Sequence, residues 1–339
     1  MERWAAASTA AFAPTSDLGG FTRHGGRLAE ARAAFPHAPE PWIDLSTGIN
    51  PRPWPLRRVQ RASLDRLPDP AEIAALERIA AQAFGADPAG VVAVPGADAG
   101  LRLLPYLTGA RDVAIVEPTY SGHRAAWEVA GAAVRGIDRN ELARCEAAAL
   151  VVVNPNNPDG GVISPQQLRT LARSRWLIVD ESFVETQPEQ SVAAHVSDRM
   201  VLLRSFGKFY GLAGLRLGFV IAVPDVAVRL RAMIGDWPVS SDAVAIGSAA
   251  YADQAWRDIT LARLLRDSRR LDRVLKNAGF ATRGGTALFR LAETTDAHAW
   301  FRKLSAQGIL VRAFDAQPTW LRFGIPGVQD CARLEAALL

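Results

Sequence analysis

The sequence predicts an α/β fold in which a mostly parallel sheet is sandwiched by helices and is followed by a smaller α+β domain. Two patterns lead to this prediction. Up to about residue 225, short apolar runs alternate with helical patterns, and their near-continuous apolar character is typical of strands buried on both faces. Beyond that point, long helices rich in arginine, leucine and alanine precede short strands, which indicates a separate α+β unit.

The strands and helices of the predicted sheet follow in order. An apolar run at 91–94 ends at a proline–glycine turn and leads into a helical pattern over 97–104. A later helix is predicted after Ser164, because proline occupies its first position and Gln167 completes a capping box. Further buried strands are predicted at 113–116, 150–153, 177–179, 200–203 and 219–223.

The C-terminal part has a different order of elements. Helices are predicted over 226–234 and about 255–275, before any strand of this part. After them, the sequence predicts strands at 288–291, 309–312 and 320–323, with helices over 297–307 and at the end of the chain.

Composition and charge exclude several classes of function. The chain has 339 residues and a net charge of only +4, and its basic residues form no run interleaved with aromatic residues, so we expect no nucleic-acid partner. Cys145 and Cys331 are far apart and the five histidines are dispersed, which predicts neither a disulfide framework nor a metal site. No apolar run approaches the ~20 residues of a membrane span. We therefore expect a cytoplasmic enzyme.

The most informative stretch surrounds Lys208, in the run SFGKFYGLAGLR at 205–216. Small and flexible residues enclose this lysine, with Ser205 three positions before it and Arg216 eight after, which suits an amine presented to an aldehyde cofactor whose phosphate is also held. Enzymes that use pyridoxal 5′-phosphate (PLP) need such a lysine and an acidic partner for the pyridine nitrogen. Asp180, at the end of a predicted strand, supplies the acid. A lysine near glycines is by itself usually a solvated loop residue, so the hypothesis depends on the whole set.

Loops that follow predicted strands add three candidates. Carboxyl ends of strands are where open α/β sheets place ligands. Asn157, in the loop NPNNPDG, is suited to donate to a phenolic oxygen, although an ordinary Asn/Pro turn is the alternative. Tyr120, in EPTY, is suited to lie against a planar ring, or it is simply an exposed loop residue. The turn at Gly96 offers free backbone N–H groups to a phosphate.

Together, these residues resemble those of fold-type I PLP enzymes of the aspartate aminotransferase superfamily, from about residue 22 to the C-terminus. The resemblance implies the PLP-dependent transferase-like fold, with a seven-stranded, mostly parallel sheet, and a homodimer. It also implies a division into a mobile arm (1–21), a segment that contributes to the active site and the small domain (22–50), a large PLP-binding domain (51–225) and a small C-terminal domain (226–339).

The resemblance also implies roles for individual residues. Lys208, Asp180 and Tyr120 are the expected catalytic residues. Arg322, in the run WLRFG, matches the arginine that anchors substrate, and Arg312 lies in a supporting position. His24 and Asn50, and with them Arg23, are further candidates for substrate binding. The residues expected to bind the cofactor are Gly96, Ala97, Asp98, Tyr120, Asn157, Asp180, Ser205, Lys208 and Arg216.

Two branches of the superfamily compete for this chain. Histidinol-phosphate aminotransferases share most of these motifs. Cobalamin-pathway L-threonine-O-3-phosphate decarboxylases are more similar in the runs RHGGR at 23–27 and IDLSTGINP at 43–51, and at Phe183, where the aminotransferases generally have a tyrosine. The chain departs from both branches at Leu67, where a tyrosine is usual, and no tyrosine follows residue 51 directly, which puts the usual cross-subunit tyrosine contact in doubt.

The resemblance implies decarboxylation of L-threonine O-3-phosphate to (R)-1-amino-2-propanol O-2-phosphate in cobalamin biosynthesis. The enzymatic alternative is an aminotransferase acting on histidinol phosphate or another amino acid. An alternative of another class is a non-catalytic PLP-fold module, such as the sensor half of a transcription regulator, which normally needs an added DNA-binding domain; we expect no room for one before residue 22. Arginine suits phosphate and carboxylate alike, so residue type leaves open which arginine takes which group.

Overall fold

The computed structural model of the chain describes residues 18–59 and 64–339. Residues 1–17, most of the arm that was predicted to be mobile, lie outside the described residues. In chain order the helices are α1 Leu28–Ala34, α2 Pro70–Phe84, α3 Ala97–Thr108, α4 Gly122–Val129, α5 Pro165–Leu171, α6 Phe206–Phe209, α7 Pro224–Ile234, α8 Ser241–Ala252, α9 Gln254–Asn277, α10 Ala297–Ala306 and α11 Val328–Leu338. The strands are β1 Ile43–Asp44, β2 Val91–Val94, β3 Asp112–Val116, β4 Ala133–Ile137, β5 Ala149–Val153, β6 Trp176–Asp180, β7 Met200–Ser205, β8 Gly218–Ile221, β9 Ala281–Thr286, β10 Phe289–Glu293, β11 Ile309–Leu310, β12 Arg312–Ala313 and β13 Trp320–Gly324.

A seven-stranded sheet forms the centre of the molecule, in the order β2-β8-β7-β6-β5-β3-β4. Four of its neighbouring strand pairs are parallel, and β8 runs antiparallel to both β2 and β7. Strands β2 and β5 are buried at every position, which explains their unbroken apolar sequences. The predicted mostly parallel sheet of seven strands is confirmed.

Some details of the predicted elements differ in the structure. The strand predicted at 219–223 ends at Ile221, because Val223 already forms the N-cap of α7. Strand β4 escaped prediction, since it lies at the sheet edge and most of its residues are at least partly exposed. The Ser164 side chain accepts from the amide of Gln167, as predicted, but the reciprocal bond of a capping box is not found among the described residues.

The C-terminal part contains a four-stranded antiparallel sheet, β12-β13-β10-β9. The single strand predicted at 309–312 is in fact two strands, because Val311 separates β11 from β12 and each joins a different sheet. Strand β1 pairs in parallel with β11, with Ile43 opposite Ile309, so the N-terminal segment packs with the C-terminal part of the chain. None of the helices in the described ranges is long and apolar enough to cross a membrane.

Candidate active site

The predicted site residues meet at one edge of the central sheet. Asp180 is the last residue of β6 and Ser205 is the last residue of β7, and these two strands are parallel. Strand β2 also runs parallel to β7, because each is antiparallel to β8, so α3 begins at the same edge. The loops after β3 and β5, with Tyr120 and Asn157, follow the carboxyl ends of two further parallel strands.

Asp180 is buried and hydrogen-bonded on both carboxylate oxygens. His123 Nε2 lies 3.0 Å from Asp180 Oδ2. Oδ1 accepts from the Ser182 hydroxyl and, at 2.9 Å, from the Ser182 amide. Burial alone would raise the pKa of Asp180, but these hydrogen bonds outweigh it and hold the pKa below its ordinary value. The carboxylate therefore stays ionised, as a partner for a cationic ring nitrogen must.

Lys208 lies in α6, directly after β7. Its Nζ is 5.9 Å from the ring centroid of Phe183 and donates no hydrogen bond to a described residue. Burial lowers the pKa of Lys208 to about 8, and the charges of Arg322 and Arg216 act in the same direction while Asp180 opposes them. Part of this amine is therefore neutral near physiological pH, which suits a nucleophile and a proton carrier.

An anion cradle lies between the start of α3 and Arg216. Among the described residues no side chain caps this helix, so the amides of its first turn, at Ala97 and Asp98, remain free for an anion. Gly96 has a φ of +87°, and a Cβ there would lie 2.6 Å from Arg216 Nη2, so only glycine lets the guanidinium approach. Ser205 lies beside this cradle, opposite Gly218 of β8.

Tyr120 and Asn157 face the site from two linked loops. The Tyr120 hydroxyl donates to Asp98 Oδ1 at 3.3 Å, and burial with this carboxylate raises the pKa of Tyr120 to about 12. The phenol therefore keeps its proton. Asn156 joins the loops, since its side-chain Nδ2 donates to the Pro118 carbonyl at 3.0 Å and its Oδ1 accepts from the Thr119 hydroxyl at 2.7 Å.

Arg322 reaches the site from β13. Its Nη1 donates to Asn157 Oδ1 and its Nη2 to the Ser46 carbonyl, whereas its buried Nε has no partner among the described residues. Burial and the charge of Arg312 lower the pKa of Arg322, although a guanidinium keeps its proton at physiological pH. The side chain is therefore a buried cation held in place beside Asn157, as a substrate anchor requires.

Arg312 holds the N-terminal segment at the exposed side of the site, where Arg23 and His24 lie; we call this side the mouth. Its Nη1 and Nη2 donate to the carbonyls of Phe21 and Arg23 at 3.1 and 2.6 Å. His24, the next residue, lies with its ring centroid 6.0 Å from that of Tyr120. Burial and the charge of Arg312 lower the pKa of His24. Arg312 thus both positions the segment and adds positive charge around His24.

Asn50 supports the lysine turn from outside. Its side chain is only 2% exposed, its Nδ2 donates to the Phe209 carbonyl at 2.8 Å, and its backbone amide donates to the Lys208 carbonyl at 3.0 Å. The Asn50 Oδ1 accepts from Arg52 and Arg263. Its polar atoms are therefore occupied by the protein, and the side chain holds the turn that carries Lys208.

Sequence reasoning missed three residues of this site. His123 was treated only as one of five dispersed histidines, although it follows Tyr120 by three positions at the start of α4. Asp44 accepts from the amide and hydroxyl of Ser46 at 2.8 and 2.6 Å, and the Ser46 hydroxyl in turn accepts from the Gly26 amide. The run at 43–51 contained the signal for Asp44 and Ser46, but not their pairing.

An exposed cavity of about 570 Å³ lies elsewhere, at the amino ends of β6 and β7. Asp180 and Ser205 lie at the carboxyl ends of the same strands, so this cavity is not part of the site. Its lining residues are Arg169, Ala172, Arg173, His195, Val196, Ser197, Asp198 and Arg199.

The residues at the sheet edge fit PLP. A phosphate suits the free amides and the Arg216 guanidinium, a pyridinium nitrogen suits the ionised Asp180, and an aldehyde suits the partly neutral amine of Lys208. Phe183 carries no hydroxyl, so of the candidates for a phenolic oxygen only Asn157 can donate. Arg322 donates to the Asn157 Oδ1, and within residues 18–59 and 64–339 no partner is found for the Asn157 Nδ2.

Known proteins agree with this geometry. A threonine-phosphate decarboxylase of Sinorhizobium sp is 39% identical over 93% of this chain and 97% of its own length, and one of Pseudomonas aeruginosa is 37% identical over the same shares. A histidinol-phosphate aminotransferase of Cronobacter sakazakii is 29% identical over 87% of this chain and 89% of its own. The crystal structure of histidinol-phosphate aminotransferase from Sinorhizobium meliloti in complex with PLP superposes with a TM-score of 0.81 at 21% identity, covering 98% of both chains, which supports the fold.

The family is established by a second match. Residues 40–337 match the family model of aminotransferase class I and II, which covers most of the chain. The predicted superfamily and its dependence on PLP are thereby confirmed. The chain belongs to the aminotransferase class I and II family of fold-type I PLP enzymes.

Proposed function

We propose that this protein decarboxylates L-threonine O-3-phosphate to (R)-1-amino-2-propanol O-2-phosphate in cobalamin biosynthesis. The observation that carries the proposal is the likeness to two threonine-phosphate decarboxylases, at 39% and 37% identity, against 29% for a histidinol-phosphate aminotransferase. The geometry agrees, because a substrate with two acidic groups needs two cationic positions. Arg322 is buried in the site, and Arg312 with His24 lies at its mouth.

The cofactor-binding residues named from the sequence are proposed to hold PLP at the sheet edge. Bound PLP supplies an aldehyde that takes up an amine and a ring that accepts electrons from the bond to be broken. We assign the phosphate to the amides of Ala97 and Asp98 after Gly96, with Ser205 and Arg216. Tyr120 would lie against the ring, Asn157 would donate to the phenolic oxygen, and Asp180 would keep a proton on the ring nitrogen.

Lys208 is the proposed proton carrier. Because burial lowers the pKa of its amine to about 8, Nζ can give up and take up a proton near neutral pH. In a decarboxylase, carbon dioxide leaves from Cα, and the ammonium of Lys208 returns a proton to that carbon. In an aminotransferase, the neutral amine of Lys208 instead removes the proton from Cα. The same residue serves both reactions, so orientation of the substrate decides between them.

Orientation is proposed to come from the anchors. The bond that breaks is the one held perpendicular to the ring, and that depends on where the two acidic groups are bound. Arg322, with its fixed hydrogen bonds to Asn157 and Ser46, would hold one group in the interior. Arg312, His24 and Arg23 would hold the other at the mouth. We propose for Asn50 the indirect role of fixing the turn of Lys208.

The test is incubation of the purified, PLP-loaded protein with L-threonine O-3-phosphate, with and without 2-oxoglutarate. We expect carbon dioxide in both cases, in amounts equal to the aminopropanol phosphate formed, and no glutamate. Histidinol phosphate with 2-oxoglutarate is the matched second substrate pair. Glutamate formed from that pair, with threonine phosphate left intact, would contradict the proposal and support the aminotransferase.

We also propose that the enzyme is a homodimer. In the single chain, large apolar side chains are exposed to solvent, among them Leu64 and Leu67, which is 61% exposed. Such side chains are typical of surfaces that a second protein chain covers. Size-exclusion chromatography with light scattering should give a mass twice the chain mass of 36.5 kDa. A monomeric mass with full activity would contradict this proposal. The cytoplasmic location expected from the sequence stays a prediction, to be checked by cell fractionation.

A further inference from the structure

Two aromatic residues, Phe183 and Phe289, form one wall of the site. Their rings pack edge to face, with centroids 5.0 Å apart and planes at 80°, and both are buried. Phe183 lies three positions after Asp180, the last residue of β6. Phe289 begins β10 opposite Gly324 of β13, two residues from Arg322. The contact between the two rings therefore links the end of β6, which carries Asp180, to the sheet of β10 and β13, which carries Arg322.

Two cations of the site, the half-buried Lys208 and the buried Arg322, lie against this wall. Lys208 Nζ is 5.9 Å from the ring centroid of Phe183, and Arg322 Cζ is 5.3 Å from the ring centroid of Phe289. A cation near a ring face is attracted by the ring, while the ring excludes water from it. One pair of rings thus contacts the amine and the guanidinium at the same time.

The backbone at Gly48 packs against both rings of the wall. This glycine has a φ of +64°, and a Cβ there would lie 3.3 Å from Phe289 Cδ1 and 3.6 Å from Phe183 Cε1. A side chain at this position would press on Phe289 and adopt a strained backbone. The glycine of the N-terminal segment therefore lets that segment close against both rings.

We propose that Phe183 and Phe289 are positioning residues: they hold the Lys208 amine and the Arg322 guanidinium at a fixed separation on one apolar wall and keep water from both. The inference rests on the proposed function only in taking Lys208 as the reacting amine and Arg322 as an anchor. A simple packing role for the two rings makes a different prediction. Their loss would then lower stability without changing the properties of the amine.

Competitive labelling of the lysines separates the two roles. The chain has three lysines, so Lys276 and Lys303, both in helices, serve as references in the same digest. The full-length protein, freed of cofactor, is labelled with a trace of acetic anhydride across a pH series, and each lysine is quantified by mass spectrometry. We expect a midpoint near pH 8 for Lys208 in the natural protein.

The informative variants differ in polarity at one position. Phe183→Ser admits water and should raise the Lys208 midpoint by roughly one pH unit, whereas Phe183→Leu stays apolar and should keep it low. Unchanged midpoints for Lys276 and Lys303, with a natural circular-dichroism spectrum, show that the fold is retained. A Lys208 midpoint in the serine variant equal to that of the natural protein overturns the inference for the amine.

Phe289→Leu tests the guanidinium with a variant that keeps the core apolar. In the PLP-loaded enzyme, we expect KM for threonine phosphate to rise roughly fivefold while kcat changes less, because Arg322 loses the ring beneath it. An unchanged KM overturns this half. The labelling needs no substrate, so shifted midpoints in a protein that leaves threonine phosphate intact would support the wall while rejecting the proposed function.

Discussion

His123 Nε2 lies 3.0 Å from Asp180 Oδ2, and both side chains are buried. The histidine is placed there by the start of α4, and the aspartate by the end of β6. Together with the hydrogen bonds from Ser182, this contact lowers the pKa of a carboxylate in a position where burial alone would favour its protonated form. The proposed role of Asp180 therefore depends on His123, which contacts this carboxylate and was not among the predicted site residues.

The cofactor assignment predicts one modified lysine. The purified protein should be yellow, and borohydride should leave the pyridoxyl group on Lys208, because this amine is partly neutral and lies beside Asp180. A peptide map of the reduced protein checks this. The group found on Lys276 or Lys303, or on no lysine, would reject the assignment.

Asp180→Asn should retain bound PLP through the phosphate contacts but reduce turnover by at least ~10²-fold, in line with removal of a major electrostatic stabiliser. The retained visible absorption serves as the control for loading. A folded, PLP-loaded variant with nearly natural turnover would show that Asp180 has another role.

His123→Asn should shift the pH dependence of the reaction. The hydrogen bond from His123 lowers the pKa of Asp180, so its loss should raise that pKa and move the acid limb of the kcat/KM profile to higher pH. The loss of activity should therefore be largest at the acid end. His195→Asn, an exposed histidine, is the matched control. A parallel drop at every pH would indicate a purely structural effect.

Lys208→Met should stabilise the cofactor-free protein at neutral pH. The pKa of Lys208 is about 8 when folded and 10.5 ordinarily, so below pH 8 the folded protein carries a buried charge that costs free energy. One pKa unit corresponds to about 1.4 kcal/mol, so the variant should gain on the order of 3 kcal/mol in free energy of unfolding at neutral pH. It should shrink between pH 8 and 10.5, where the unfolded chain still binds the proton.

Urea unfolding at pH 7 and at pH 10.5 measures this gain directly. Lys276→Met, at an exposed helix position, is the control and should show no pH-dependent change. Equal free energies of unfolding for the Lys208→Met variant and the natural protein at pH 7 would mean that burying the charged Lys208 amine does not destabilise the fold.

Arg322→Ala should lower kcat/KM for threonine phosphate by an amount corresponding to roughly 1.5–3 kcal/mol, the value of a hydrogen bond to a charged group. Arg322→Lys should restore little, because an ammonium cannot reproduce the fork that contacts Asn157 and the Ser46 carbonyl. Steady-state kinetics of both variants check this. Full activity in the alanine variant would transfer the anchoring role to Arg312.

The strands could be predicted from the sequence because their signal is local. Residues 91–94 and 149–153 are apolar without interruption, and burial on both faces requires that. The edge strand Ala133–Ile137 carries no such constraint and was missed. The positions of the residues proposed to bind the cofactor were predictable for a related reason, since these residues end strands or follow them directly.

The contacts between distant residues could not be predicted in the same way. His123 meets Asp180 across the sheet edge, and Arg322 meets both Asn157 and the backbone of Ser46. Each of these contacts depends on how two elements pack, and no local pattern records it. The same holds for Asn50, whose hydrogen bond to the Phe209 carbonyl gives it a supporting position that its motif alone did not indicate.

The pairing of Ile43 with Ile309 bears on how the enzyme is made. As the chain leaves the ribosome, all strands of the central sheet have emerged once Ile221 has, but the strand at Ile43–Asp44 must wait for its partner Ile309–Leu310, much later in the chain. The sheet edge proposed to hold the cofactor therefore emerges earlier in synthesis than the strands that carry the proposed substrate anchor.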